Sequence, residues 1–277
     1  MQWNLKAAEI ITRVRQERPL VHHITNLVVT NISANATLAV GASPVMAHAL
    51  EEVREMARLA GAVVLNIGTL THDLVRAMIA AGEEANQAGV PVILDPVGVG
   101  ATGFRTRSVA GILNKVKVDI LRGNAAEITV LSGRRAVVKG VDAGEEPENT
   151  REAVREVSLR FGAVVAATGA VDYVSDGTRL LEVHNGHHLL TTITGSGCML
   201  TSVIGAFRAV EPDGLLAATA ALACYGYAGE LAAARSNGPG SFQVQLFDTL
   251  FNLQPQAVAA EARIVEECSP SGCFGRG

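Results

Sequence analysis

The segment Thr194-Gly195-Ser196-Gly197-Cys198-Met199-Leu200-Thr201 sets glycines directly before an apolar run of helical spacing. Such glycines leave several main-chain N–H groups free to converge at a helix N-terminus, where the helix dipole adds to their attraction for an anion. Cys198 falls in the first turn, so a reactive side chain would lie beside whatever phosphoryl group is held there. A plain loop leading into a helix accounts for the same residues without any ligand, and the pattern alone leaves both readings open.

Other polar residues cluster where short apolar runs end. Asn66-Ile67-Gly68-Thr69 closes one run, and Asp95-Pro96-Val97-Gly98-Val99-Gly100 closes the next. Arg122-Gly123-Asn124-Ala125-Ala126-Glu127 and Thr168-Gly169 close two more. In an open parallel sheet, ligands bind beyond the carboxyl ends of the strands, so these four ends are the places to look for a polar site. Some of this follows from turn chemistry alone, since turns favour Gly and Asn. Asn124 with Glu127 three residues on also fits a helix cap and its reciprocal partner, a role compatible with a metal site. His184, His187 and His188 resemble a metal cluster at first sight, but they surround Asn185-Gly186, and a structural turn explains them better.

No GxxxxGK[ST] is present, which excludes a P-loop NTPase. Gly98-Val99-Gly100-Ala101-Thr102-Gly103 matches GxGxxG, but it falls mid-chain behind Asp95-Pro96, and the candidate acid Asp119 opens its strand instead of closing it. Both points argue against a dinucleotide fold.

The elements that would position these residues alternate along the chain. Apolar runs at 62–67, 91–95, 119–122 and 163–168 read as buried parallel strands, with helical segments at about 49–60, 71–88, 104–116, 124–132 and 149–161. Gly41, Gly61, Gly89 and Gly162 stand where helices should stop. Strands at 171–175 and 178–183 meet at Asp176-Gly177, a two-residue hairpin signal. Beyond residue 195 helices are expected at about 197–210, 214–235, 241–253 and 255–267. The pattern predicts an α/β fold with a mostly parallel sheet, helices on both faces and one short antiparallel hairpin. No linker, repeat or low-complexity run divides residues 1–277, so one domain is expected, with a disordered tail from about 268.

Composition narrows the function. The net charge of −4 implies no strongly basic face, which argues against nucleic acid or an anionic membrane as partner. Lys6 and Glu9 interrupt the stretch where a signal peptide needs an unbroken apolar run. The longest uncharged stretches, 191–207 and 214–229, fall short of the ~20 apolar residues of a membrane helix, so a cytoplasmic protein is expected. The four cysteines, Cys198, Cys224, Cys268 and Cys273, form no CxxC pair and no zinc set, which suits a reducing compartment. Cys224, within an Ala-rich helical run, reads as a small core residue.

The Thr-Gly-Ser-Gly-Cys loop, together with Asn124-x-x-Glu127 and Asp95-Pro96, resembles the ribokinase-like superfamily, and within it the hydroxyethylthiazole kinase family of thiamine salvage. His23-Ile24-Thr25-Asn26, Gly41-Ala42-Ser43-Pro44-Val45-Met46, Asn66-Ile67-Gly68-Thr69, Lys139-Gly140-Val141-Asp142 and Gly238-Pro239-Gly240-Ser241-Phe242 extend the resemblance in order across about residues 20–250. It implies a ribokinase-like three-layer sandwich that phosphorylates 4-methyl-5-(2-hydroxyethyl)thiazole with ATP and Mg²⁺. It also implies a homotrimer with sites between subunits. Gly195, Ser196 and Gly197 would line the anion hole, with Cys198 where most related sugar kinases hold an Asp base. Asn124 and Glu127 would organise the Mg²⁺–phosphate cluster through water, with Asp95 nearby. Arg122 and Thr168 would contact ATP phosphates, while Met46, Asn26, Gly68 and Gly195 would border the thiazole. Met46 taken by itself reads as core.

Three rival activities share parts of this pattern. A nucleotide-assisted NAD(P)H-hydrate dehydratase on the same fold would carry Asp at the Cys198 position. A kinase for another vitamin-precursor alcohol differs only in its acceptor. A non-enzymatic carrier would have no need of the Asn124, Glu127 and Asp95 cluster. The protonation of Cys198 is open at this stage: a helix N-terminus lowers a thiol from ~8.5, and a triphosphate opposes that shift.

Overall fold

The computed structural model describes residues 2–134 and 149–267. The strands are β1 (Leu20–Ile24), β2 (Ser43–Val45), β3 (Ala62–Asn66), β4 (Val92–Asp95), β5 (Ile120–Asn124), β6 (Val164–Thr168), β7 (Asp172–Ser175), β8 (Leu180–Val183) and β9 (Ile264–Glu266). The helices are α1 (Trp3–Glu17), α2 (Thr30–Val40), α3 (Val53–Leu59), α4 (His72–Ala88), α5 (Gly103–Leu113), α6 (Ala125–Leu131), α7 (Thr150–Phe161), α8 (Ser196–Val210), α9 (Gly214–Ala233), α10 (Pro239–Asn252) and α11 (Pro255–Glu261). A short 3-10 helix covers His188–Thr192.

The nine strands make one mixed sheet in the order β2-β1-β3-β4-β5-β6-β7-β8-β9. The first six are parallel, and β7, β8 and β9 continue antiparallel. Alternating side chains feed two cores. Val64, Ile93, Ile120 and Ala166 pack under α1, α2, α8, α9 and α10. Their neighbours Val63, Leu65, Leu94, Leu121 and Val165 pack under α3, α4, α5 and α7. Covering both faces is what lets the central strands be apolar throughout. The layers are therefore helix, sheet, helix.

Gly41, Gly89 and Gly162 take left-handed conformations at the ends of α2, α4 and α7. Gly61 does not, because the chain leaves α3 through an extended Ala60. The Asp176-Gly177 hairpin joins β7 to β8, with Gly177 at φ 91°. α9 is long and apolar enough to cross a membrane by length and composition, but most of it is buried among α1, α8, α10 and the sheet.

The expected helix at 255–267 is corrected. It stops at Glu261, and 264–266 pairs with β8 instead. Asn185 drives the change, because its Nδ2 donates to the Glu261 carbonyl (3.1 Å) and its Oδ1 accepts from the Arg263 N–H (2.7 Å). α1 packs against α9 and α11, Trp3 Nε1 donates to Glu266 Oε2 (3.2 Å), and Arg15 Nη1 donates to the Leu253 carbonyl (2.6 Å). Lys139-Gly140-Val141-Asp142 and the tail with Cys268 and Cys273 lie outside the described residues.

Candidate active site

Six parallel strands bring their carboxyl ends to one edge of the sheet, and strand register decides which residues meet there. Asn66 stands opposite Asp95, and Asn124 stands opposite Thr168. α8 leaves its loop above β3 and β4, so its first turn faces these residues.

Asn66 is the hub. Its Nδ2 donates to Asp95 Oδ2 (2.8 Å) and Cys198 Sγ (3.2 Å). Its Oδ1 accepts from Asn26 Nδ2 (2.7 Å) and from the Gly68 N–H (2.9 Å). A primary amide offers two donors and two acceptor lone pairs, and all four are engaged, which fixes the orientation of the group. Thr201 Oγ1 also donates to Asp95 Oδ2 (2.8 Å), leaving the buried Asp95 Oδ1 without a protein partner. Asn26 Nδ2 reaches Cys198 Sγ at 3.7 Å.

The anion site forms alongside. The first α8 hydrogen bond runs from the Met199 N–H to the Gly195 carbonyl (2.8 Å), so the N–H groups of Ser196, Gly197 and Cys198 precede the helical ladder. Gly195 caps the helix at φ 81°, and a Cβ there would meet Val29 Cγ1 at 2.5 Å. Glycine is required by both the angle and the space. A Cβ on Gly197 would collide with the Arg122 guanidinium, so that cation lies directly against the open N–H groups. Arg122 donates to Thr168 Oγ1 (2.5 Å), sits 3.8 Å from Asp95 Oδ2, and leaves its buried Nε without a partner. Tyr225 holds this turn from behind, its hydroxyl donating to the Ser196 carbonyl (3.0 Å).

Asn124 and Glu127 form a full capping box at the start of α6. The Glu127 N–H donates to Asn124 Oδ1, and the Asn124 N–H donates to Glu127 Oε2, both at 2.8 Å. Glu127 Oε1 accepts from the Gly98 N–H at 2.6 Å. Both carboxylate oxygens are thus committed to main-chain donors. The GxGxxG segment is the β4–α5 turn, and the first of its amides is spent on Glu127.

Burial dominates the ionisation of the site. It pushes the Cys198 thiol up to about 12, aided by the negative Asp95, against the Asn66 hydrogen bond and the Arg122 charge. Burial, which stands outside the balance of helix dipole and triphosphate, thus favours the neutral thiol at physiological pH. Burial also raises Asp95, against Arg122 and the Thr201 and Asn66 hydrogen bonds. Glu127 is pushed up to about 7 by burial and then by Asp95, with the Gly98 and Asn124 amides pulling the other way.

Asn26, Gly68, Asp95, Arg122, Asn124, Glu127, Thr168, Gly195, Ser196, Gly197 and Cys198 therefore share one sheet edge. Met46 stands apart: it follows β2, which β1 separates from β3, and its carbonyl accepts from His48 Nδ1 (2.8 Å). Sequence reasoning marked Asn66 as the polar end of an apolar run but gave it no role, and it gave none to Thr201 or Tyr225. His187 caps the 3-10 helix by accepting from the Leu189 N–H, and His184 pairs with Glu182. Cys224 is fully buried in α9.

The sheet order, the three layers and a helix N-terminus over the strand ends define a ribokinase-like fold. A ribokinase-like superfamily protein from Enterococcus faecalis superposes with a TM-score of 0.61 at 12% identity, over 84% of this chain and 86% of its own. Residues 11–256 match the hydroxyethylthiazole kinase family, and the chain belongs to that family. Hydroxyethylthiazole kinase of Moorella thermoacetica is 59% identical over 264 residues, 95% of this chain and 99% of that protein. A solved hydroxyethylthiazole kinase protein from Pyrococcus horikoshii OT3 is 49% identical with a TM-score of 0.87, covering 94% of this chain and 98% of that one.

Proposed function

We propose that this chain transfers the γ-phosphoryl group of ATP to the primary hydroxyl of 4-methyl-5-(2-hydroxyethyl)thiazole. The observation that carries phosphoryl transfer is the open first turn of α8 lying against Arg122. Membership of the family supports the acceptor.

The hydroxyl oxygen attacks the γ-phosphorus in line, its bond to the β–γ bridging oxygen breaks, ADP leaves, and the hydroxyl proton is released. Such transition states are loose, so positioning and charge stabilisation supply most of the rate. The Ser196, Gly197 and Cys198 amides and Arg122 meet the equatorial oxygens. Asn26 and Gly68 border the acceptor, and Thr168 orients Arg122. The neutral Cys198 thiol fills the pocket floor beside Asn66 without serving as a strong base.

Mg²⁺ suits the donor set in part. Asp95 offers one buried oxygen with no protein partner, fit to hold a hydrated cation through water. Glu127 holds the β4–α5 turn and the head of α6 with one hydrogen bond to each oxygen, and the lone pair left on each would help order the cation's water shell. When bound with ATP, Mg²⁺ neutralises charge on the phosphate oxygens.

We also infer a cytoplasmic homotrimer. Leu27 and Val28, 80% and 65% exposed in the turn before α2, join the outward Leu38 of α2 and Val244 and Phe251 of α10 as apolar area that association would cover. A light-scattering mass of one 28.9 kDa chain would contradict it. The activity test is ADP release over a panel of vitamin-precursor alcohols, with the ester identified by phosphorus NMR. Turnover with only a pyrimidine or pyridoxal acceptor would refute the thiazole assignment.

A further inference from the structure

Arg105, in the first turn of α5, makes three hydrogen bonds, all to main-chain carbonyls. Nη1 donates to Val97 (2.6 Å) and to Ile67 (3.0 Å), and Nη2 donates to Gly68 (2.7 Å). These carbonyls belong to two different loops, one leaving β3 after Asn66 and the other leaving β4 after Asp95. We propose that Arg105 is a positioning residue for the acceptor alcohol, fixing the Gly68 wall of the pocket relative to the Asp95 loop. The proposal rests on the kinase reading above.

Several features support a positioning role beyond general packing. Gly68 is held on both sides, its N–H by Asn66 Oδ1 and its carbonyl by Arg105. A Cβ on Gly68 would come within 2.5 Å of Asn26 Nδ2, so a small rotation of the backbone there changes the space beside Asn26. The Asp95 loop is pinned from both sides as well, the Gly98 N–H by Glu127 and the Val97 carbonyl by Arg105. Phe104 stacks 4.8 Å from the His72 ring at the head of α4, which joins the two helices that follow these loops. A planar guanidinium spans both loops at once, whereas an ammonium is a point donor that serves one.

The test is steady-state kinetics of Arg105→Ala and Arg105→Lys beside wild type, with thermal unfolding of each. Losing one charged donor set should raise KM for the thiazole alcohol about tenfold while kcat and KM for ATP stay within about threefold. Guanidinium chloride at sub-denaturing concentration should lower the raised KM of Arg105→Ala and leave wild type unchanged. If Arg105→Ala folds poorly, Arg105→Lys carries the same split. An unchanged thiazole KM overturns the proposal. So does a loss shared equally by both substrates that guanidinium does not reverse, since a purely structural arginine predicts it. Failure of the kinase reading is distinct: wild type itself would then release no ADP with the thiazole alcohol.

Discussion

Cys198 gives the sharpest test of how this site works. Its thiol is pushed up to about 12, so at neutral pH the thiolate is roughly one part in ten thousand or less. If that thiolate were the obligatory base, wild-type kcat would climb about tenfold per pH unit toward the thiol pKa. The expected result is a flat profile, because a loose transition state needs little proton removal before the new bond forms. Glu127, at about 7, bends the profiles of wild type and variants alike near neutrality, so the comparison belongs between about pH 8 and 9. Cys198→Ala should lose on the order of ten- to a hundredfold in kcat, the cost of leaving buried donors without an acceptor. That loss reflects the Asn66 and Asn26 amides, which then face a void. Cys198→Asp should retain or raise kcat, since a carboxylate can accept from the same two amides and ionises far below the thiol. The assay is kcat against pH at saturating ATP and thiazole alcohol for all three enzymes. A wild-type slope of one that vanishes in Cys198→Ala, or an inactive Cys198→Ala, would refute the reasoning and make the thiolate the base.

Two further outcomes are expected. In Gly197→Val the new side chain must displace the Arg122 guanidinium, so kcat should fall below that of Cys198→Ala and KM for ATP should rise. A near-normal Gly197→Val enzyme would remove the anion site from the argument. His23 is fully buried and pushed down to about 3 from 6.5 by burial and then by His22 and His48. Below about pH 6.5 the unfolded chain takes up a proton that the folded state refuses, so stability drops as pH falls, by at most ~1.4 kcal/mol per pH unit. Glu127, raised to about 7, favours the folded state over the same window and His22 adds to the loss, so the readout is a difference. Between pH 7 and pH 5 urea unfolding should show His23→Gln losing less stability, or gaining more, than wild type. Equal changes in the two would show that His23 does not contribute.

The sequence made some features plain because they are local. The central strands are short apolar runs, the hairpin is announced by Asp176-Gly177, and the Asn124–Glu127 box is complete within four residues. β1 escaped detection because His22 and His23 interrupt it, although both rings are buried. Thr37 Oγ1 donates to the Ser33 carbonyl, so it accepts from His23 Nε2, and one buried ring nitrogen acquires a partner from α2. β2 has three residues, one of them Pro44, and β9 continues a helical pattern until Asn185 turns the chain. The site was visible as separate strand ends and one glycine loop. Its wiring was not, because Asn26, Asn66, Asp95 and Cys198 meet only through sheet register and the placement of α8. Arg105 looked like any arginine on a helix surface, since its partners are carbonyls with no sequence signature.

The contact between α1 and α11 has a consequence for how the protein is made. Ile10, Ile11 and Val14 leave the ribosome about 240 residues before Leu253 and Val258, yet all are buried in one layer. Trp3 likewise waits for Glu266. A nascent chain that has not reached Pro255 can assemble the parallel strands and the glycine loop while this apolar stripe stays uncovered, a substrate for chaperones or for a neighbouring nascent chain. Slow translation over the last helices would prolong that exposure. A circular permutant that joins residue 266 to residue 3 through a short linker would synthesise the two elements as neighbours and shorten it.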